Sequence, residues 1–209
     1  MNVLNRNINN IFFIFALSHL VIWTVVPSLT NKNLPLDTIE ALAWGSNLDW
    51  GFNKHPPISA FFPEVIYQIF GPQDWAYYLL SQLFVLVAFY FVFKFSSEFL
   101  GNVKLSLISV LLLEAIYFYN FTTPEFNVNV CQLPFWSLVV YYSWKIYETN
   151  KIKFIDCFLV GLFAALGFLS KYLFIYLLIS IDLLFVWLIF IKKTKKFDFK
   201  YLITLEVFI

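Results

Sequence analysis

Six apolar runs alternate along the chain with polar gaps, at residues 11–27, 75–93, 105–119, 128–144, 154–170 and 172–191. A bilayer core of roughly 30 Å takes about 20 helical residues at 1.5 Å rise each. The runs therefore predict six membrane-crossing helices, several near the short limit. A further apolar stretch, residues 201–209, reads as the opening turns of a seventh helix. Nine residues cannot cross a bilayer, so the chain reads as the N-terminal part of a longer protein.

One gap differs from the rest. Residues 28–74 are far longer than the other connections, and long ordered loops usually carry function. After Pro35 a helical stretch is expected over residues 36–44, then a turn region with Gly45, Gly51 and the Pro56-Pro57 pair. The aromatic-rich run at residues 58–70 is expected to lie along the interface. Trp44, Trp50 and Trp75 suit the headgroup level, where indole is favoured.

Composition agrees with a chain whose solvent is mostly lipid: 61% of residues are apolar and 22% are aromatic. The fold class that follows is all-α, a polytopic helical membrane protein read as one domain over residues 1–209. Charge then orients it. Of the 14 basic residues, all but Lys32, Lys54 and Lys171 fall in gaps on one side of a six-span arrangement, and lysine and arginine in short loops are retained in the cytoplasm. The N-terminus is accordingly expected inside and the 28–74 loop outside. A net charge of +1 gives no reason to expect a nucleic-acid partner. Arg6 precedes an apolar stretch without a small-residue cleavage pattern, so the first helix is read as uncleaved. Cys131 and Cys157 fall near opposite faces and cannot bridge.

The outer loop concentrates the candidate chemistry. Asp37 and Glu40, three residues apart, share a helix face. Asp-x-x-Glu after a proline is also a capping-box arrangement, in which Asp37 accepts from first-turn amides and Glu40 reaches back. Both readings hold the carboxylate at a helix N-terminus, where the dipole keeps it ionised, as a general base requires. In Lys54-His55-Pro56-Pro57 the prolines keep the preceding cation and imidazole extended. Lys54 suits a phosphate, or equally a solvated lysine beside a packed His55. Lys171 interrupts an apolar hairpin on the same face. A lysine near lipid costs up to about 3 kcal/mol, which favours an anionic partner over simple snorkelling. Glu125 and Asn127, between the third and fourth spans, are possible pocket residues or routine caps. Glu114 and Asp182 lie in apolar spans and need pairing or neutralisation. His19 reads as a packed polar residue.

As an ordered set these residues resemble the GT-C class of polytopic glycosyltransferases. Within that class they are similar to the bacterial members of family 39, the dolichyl-phosphate-mannose-protein mannosyltransferases and aminoarabinose transferases. The resemblance runs through Leu36-Asp37-Thr38-Ile39-Glu40, Trp44-Gly45, Trp50-Gly51-Phe52-Asn53-Lys54-His55-Pro56-Pro57, Phe70-Gly71, Phe126-Asn127-Val128-Asn129 and Leu169-Ser170-Lys171-Tyr172.

It implies an inverting enzyme of the bacterial inner membrane. Such an enzyme takes a sugar from a polyprenyl-phosphate carrier to a lipid, glycan or protein acceptor at the outer face. Asp37, with Glu40, would be catalytic, and Lys54, His55, Lys171 and Tyr172 would bind the substrate phosphate. Many relatives place two acids side by side, whereas Thr38 and Ile39 separate Asp37 from Glu40 here. Some class members use a divalent metal, and Asp37, Glu40 and His55 could supply ligands, though no spacing defines a site. Two other readings stay open: a transporter or lipid flippase, expected to carry polar groups near the midplane in two related halves, and a non-catalytic truncated family member.

Overall fold

The structure is a computed structural model that describes residues 3–149, 151–201 and 204. All regular structure among these is helical: α1 (Val3–Thr30), α2 (Leu36–Gly45), α3 (Ile58–Phe70), α4 (Asp74–Leu100), α5 (Val103–Glu114), α6 (Val128–Glu148), α7 (Phe154–Ser170) and α8 (Ile175–Val186). A 3-10 turn at Tyr172–Phe174 leads into α8, and a π-helical turn at Trp187–Ile191 prolongs it.

Three segments are both long and apolar enough to cross a membrane: Arg6–Thr30, Asp74–Leu100 and Tyr172–Ile191. α6 has the length, with 21 residues, but is more polar, and α7 is apolar but stops at 17. The third expected span needs correcting. Instead of a helix over residues 105–119, α5 has 12 residues, about 18 Å, and ends at Glu114. Residues 115–127 then turn back through a 3-10 turn at Tyr117–Tyr119. The apolar run continues beyond Glu114, but Asn120 donates from Nδ2 to the Glu114 carbonyl at 2.6 Å and closes the helix end. Of the expected seventh helix, Tyr201 and Thr204 are helical, with Thr204 Oγ1 donating to the Tyr201 carbonyl at 2.6 Å. The remainder lies outside the described residues.

The elements turn where the local chemistry allows it. Gly101 ends α4 at φ 62°, a left-handed conformation that glycine adopts without penalty, and Asn102 at once caps α5 by accepting from the Lys104 N–H at 2.9 Å. Pro35 precedes α2 and Pro57 precedes α3, positions where a missing N–H costs nothing.

α4 is the hub, packing against α1, α5 and α6, while α7 packs against α6. The core is largely aromatic. Phe12 stacks on Phe93 at 4.4 Å between centroids, and Phe84 meets Phe126 edge-on at 5.3 Å. α3 sits against α2, α4 and α7, where Phe62 reaches Phe84 at 4.8 Å, and leaves Val65, Ile69 and Phe70 exposed. α2 approaches α3 so closely that a Cβ on Gly45 would lie 2.6 Å from the Ala60 carbonyl oxygen.

The bundle also sorts its charges. At one end Lys145 pairs with Glu98 at 2.9 Å, Lys195 donates to the Thr149 carbonyl at 2.9 Å and Lys200 to that of Ile152 at 2.9 Å. The starts of α2, α4 and α6 and the end of α7 meet at the other, with Asp37, Lys54 and Lys171.

Candidate active site

Asp37 is the second residue of α2, and no side chain within α2 caps that helix. The capping box expected from Asp37 and Glu40 is therefore not formed. Glu125, 88 residues on, does the work: its Oε1 accepts the Asp37 backbone N–H at 3.0 Å. An anionic cap brought from the α5–α6 connection also suits the positive end of the helix dipole. Thr38, fully buried, fixes the same junction by donating from Oγ1 to the Phe126 carbonyl at 3.2 Å.

Asn127 caps α6, its Oδ1 accepting from the N–H groups of Asn129 at 2.9 Å and Val130 at 3.2 Å. That choice of acceptor leaves the amide nitrogen free to point outward, and Nδ2 lies 3.4 Å from Asp37 Oδ2. Lys171, at the C-cap of α7, donates from Nζ to Asn129 Oδ1. One turn of α6 thus joins an exposed carboxylate to a half-buried ammonium.

Glu40 is engaged differently. Lys54 Nζ reaches its Oε1 at 2.9 Å and its Oε2 at 3.0 Å, which raises the lysine pKa through that hydrogen bond and the charge of the carboxylate. Glu40 is charge-compensated, whereas Asp37 has one long amide contact. The two acids that look equivalent in sequence differ in what they can do.

His55 lies beside this pair. Trp44 stacks on Phe52 at 5.4 Å and meets the imidazole edge to face at 5.7 Å. Desolvation lowers the His55 pKa below 6.5; the charges of Glu40 and Asp37 oppose that shift, and those of Lys54 and Lys171 reinforce it. All four charges are therefore felt at one imidazole, which is neutral near pH 7 and can offer a hydrogen bond but not a full charge.

Asp37, Glu40, Lys54, His55, Glu125, Asn127 and Lys171 are thus brought to one end of the bundle. Tyr172 stands apart, exposed, with its ring on Phe168 at 5.4 Å. The cluster is open to solvent at Asp37 and Lys54. Two cavities lie away from this cluster, one of about 500 Å³ among α4, α5 and α6 and one of about 440 Å³ between α4, α6 and α8. Among the described residues no three His, Cys, Asp or Glu side chains converge as a metal site. Both Glu40 oxygens already face Lys54, so Asp37, Glu40 and His55 do not fit a divalent ion as ligands.

The family described as dolichyl-phosphate-mannose-protein mannosyltransferase matches residues 54–209. The chain belongs to that family. It is a membrane glycosyltransferase of the GT-C type. No curated protein and no solved structure matches it. The family match takes in Lys54, His55, Glu125, Asn127 and Lys171 but begins after Asp37 and Glu40. Roles for those two acids rest on geometry.

Proposed function

We propose that this family member moves a sugar from a polyprenyl-phosphate carrier to an acceptor at the non-cytoplasmic face of a bacterial inner membrane, with inversion at the anomeric carbon. In this reading the N-terminus and the lysine-rich end of the bundle lie in the cytoplasm. The observation that carries it is the contrast between Asp37, exposed at the head of α2 with a long amide contact to its carboxylate, and Glu40, held by both oxygens against Lys54.

Asp37 removes the proton from an acceptor hydroxyl as its oxygen attacks the anomeric carbon. The carbon–oxygen bond to phosphate breaks, and the lipid phosphate leaves with the electron pair. A base at this position contributes about 10²- to 10⁴-fold. Lys171 supplies the charge that meets the leaving phosphate, and neutral His55 an N–H to one of its oxygens; such preorganised donors are commonly the largest catalytic effect. Glu40 holds Lys54 at the rim, and Asn127 aims the base. The N-termini of α2 and α6, both directed at this cluster, favour an anion in the same place.

Incubating radiolabelled polyprenyl-phosphate hexose or aminopentose with membranes containing the protein tests this directly. Protein-dependent release of label to lipid, glycan or protein fractions is the expected result. Lipid translocation without cleavage of the sugar–phosphate bond would instead make the protein a flippase and remove the reading.

A further inference from the structure

His19 and Glu114 occupy different apolar helices, and nothing in the proposed transfer uses either. His19 is buried between polar neighbours: Nε2 pairs with Gln82 Oε1 at 2.9 Å, and Nδ1 stands 2.8 Å from Glu114 Oε2 without the alignment of a hydrogen bond. Gln82, with no exposed surface, turns its amide nitrogen to Thr123 Oγ1 at 3.4 Å. The Thr123 hydroxyl in turn faces the carbonyls of Tyr119 at 3.1 Å and Asn120 at 3.2 Å. Ser81 donates to the Thr123 carbonyl. Asn120 closes the circuit through its bond to the Glu114 carbonyl at 2.6 Å.

The directions of these bonds are fixed. Gln82 donates to Thr123, so its oxygen is left to accept, and His19 Nε2 must carry a proton. Nδ1 and Glu114 Oε2 face each other at 2.8 Å, and neither has a hydrogen-bond partner. A connected set of buried polar groups, about 12 Å along α4 from its Asp74 end, is costly in an apolar bundle, and the His19 Nδ1 and Glu114 Oε2 atoms that lack a hydrogen bond add to that cost. Apart from the His19–Gln82 bond, each of these contacts ends on residues 114–123, which run from the last residue of α5 through the 3-10 turn and lead directly to Glu125 and Asn127. Irregular backbone at membrane depth needs such support.

We infer that the Glu114–His19–Gln82–Thr123 chain is a positioning device that sets the height of residues 120–127, and so the contacts of Glu125 and Asn127 with Asp37. This inference rests on Asp37 being the base. His19 and Gln82 touch no substrate; they act through the segment. Loosening them misdirects the base without changing the surface that takes the donor, so the loss belongs in kcat, not in KM.

The test combines steady-state transfer with a reporter that does not depend on catalysis, a Thr122→Cys thiol labelled from the aqueous side, against buried native Cys131 and Cys157. His19→Leu and the near-isosteric Gln82→Met are expected to lower kcat at least tenfold with donor KM within twofold, and to speed labelling at least fivefold. His19→Gln, which retains a side-chain amide near the Nε2 position, is expected to recover most of both. If His19→Leu does not accumulate in membranes, Gln82→Met decides alone. Unchanged labelling and unchanged kcat per folded molecule in Gln82→Met would overturn the inference. Should Asp37→Asn leave transfer intact, the base assignment fails by itself, and the labelling rates still decide whether the buried chain holds the segment.

Discussion

Gly45→Ala is the sharpest test of how the loop is held. Its added Cβ would stand 2.6 Å from the Ala60 carbonyl oxygen and 2.9 Å from Glu64 Cβ, neither of which is the end of a flexible side chain. Restoring an ordinary 3.4 Å contact with that oxygen requires α2 and α3 to part by about 0.8 Å. Overpacking of this kind costs about 1–3 kcal/mol. The shift is carried along a helix of 10 residues to its other end, where Asp37 meets Glu125 and Asn127. A misplacement near 1 Å at a reacting group costs on the order of 10²-fold in rate. Gly45→Ala should therefore lower the thermal unfolding midpoint in detergent and cut transfer per folded molecule by about tenfold to a hundredfold. Gly51→Ala is the control, since a Cβ there meets nothing within 4 Å, and it should change neither. A Gly45→Ala protein with the unfolding midpoint and rate of the wild type would refute the close α2–α3 packing on which the site's geometry depends.

Asn127→Ala removes the acceptor of two α6 N–H groups and the amide beside Asp37; it should cost about 1 kcal/mol of stability by the usual worth of an N-cap, and reduce kcat more than KM, as thermal unfolding and initial rates will show. His55 carries a pKa below its unfolded value of 6.5, so the unfolded chain binds the extra proton first as pH falls. Its contribution to stability is present above pH 6.5 and lost as pH falls through the folded pKa; His55→Gln should flatten that acid limb in unfolding scans and leave stability at pH 8 nearly unchanged.

The helices were legible where polarity changes abruptly. Phe154–Ser170 begins after Lys153 and stops before Lys171, and its bounds follow from the apolar run alone. α5 misleads because hydropathy continues past Glu114 while the hydrogen bonding does not: the turn is made by Asn120 and by the pairing of Glu114 with His19, 95 positions apart. Two costly ionisable groups in separate apolar runs were the signal for that pairing, since each needs a partner of the other kind. In the candidate site, local spacing identifies Asp37, Glu40, Lys54 and His55 within one loop. What spacing misses is the division of labour between the acids. It depends on Glu125 capping α2 from 88 residues away and on Lys54 occupying Glu40, both settled by tertiary packing. Lys171 was singled out by its cost in an apolar hairpin, but its contact with Asn129 spans 42 residues and has no local trace.

We propose that Asp37, and not Glu40, is the base. Transfer from a labelled polyprenyl-phosphate sugar should be measured for Asp37→Asn and Glu40→Gln at equal amounts of folded protein. Asp37→Asn should lose about 10²- to 10⁴-fold, the range for removing a general base, against less than about tenfold for Glu40→Gln. Equal losses, or an Asp37→Asn protein that transfers sugar at the wild-type rate, would contradict it.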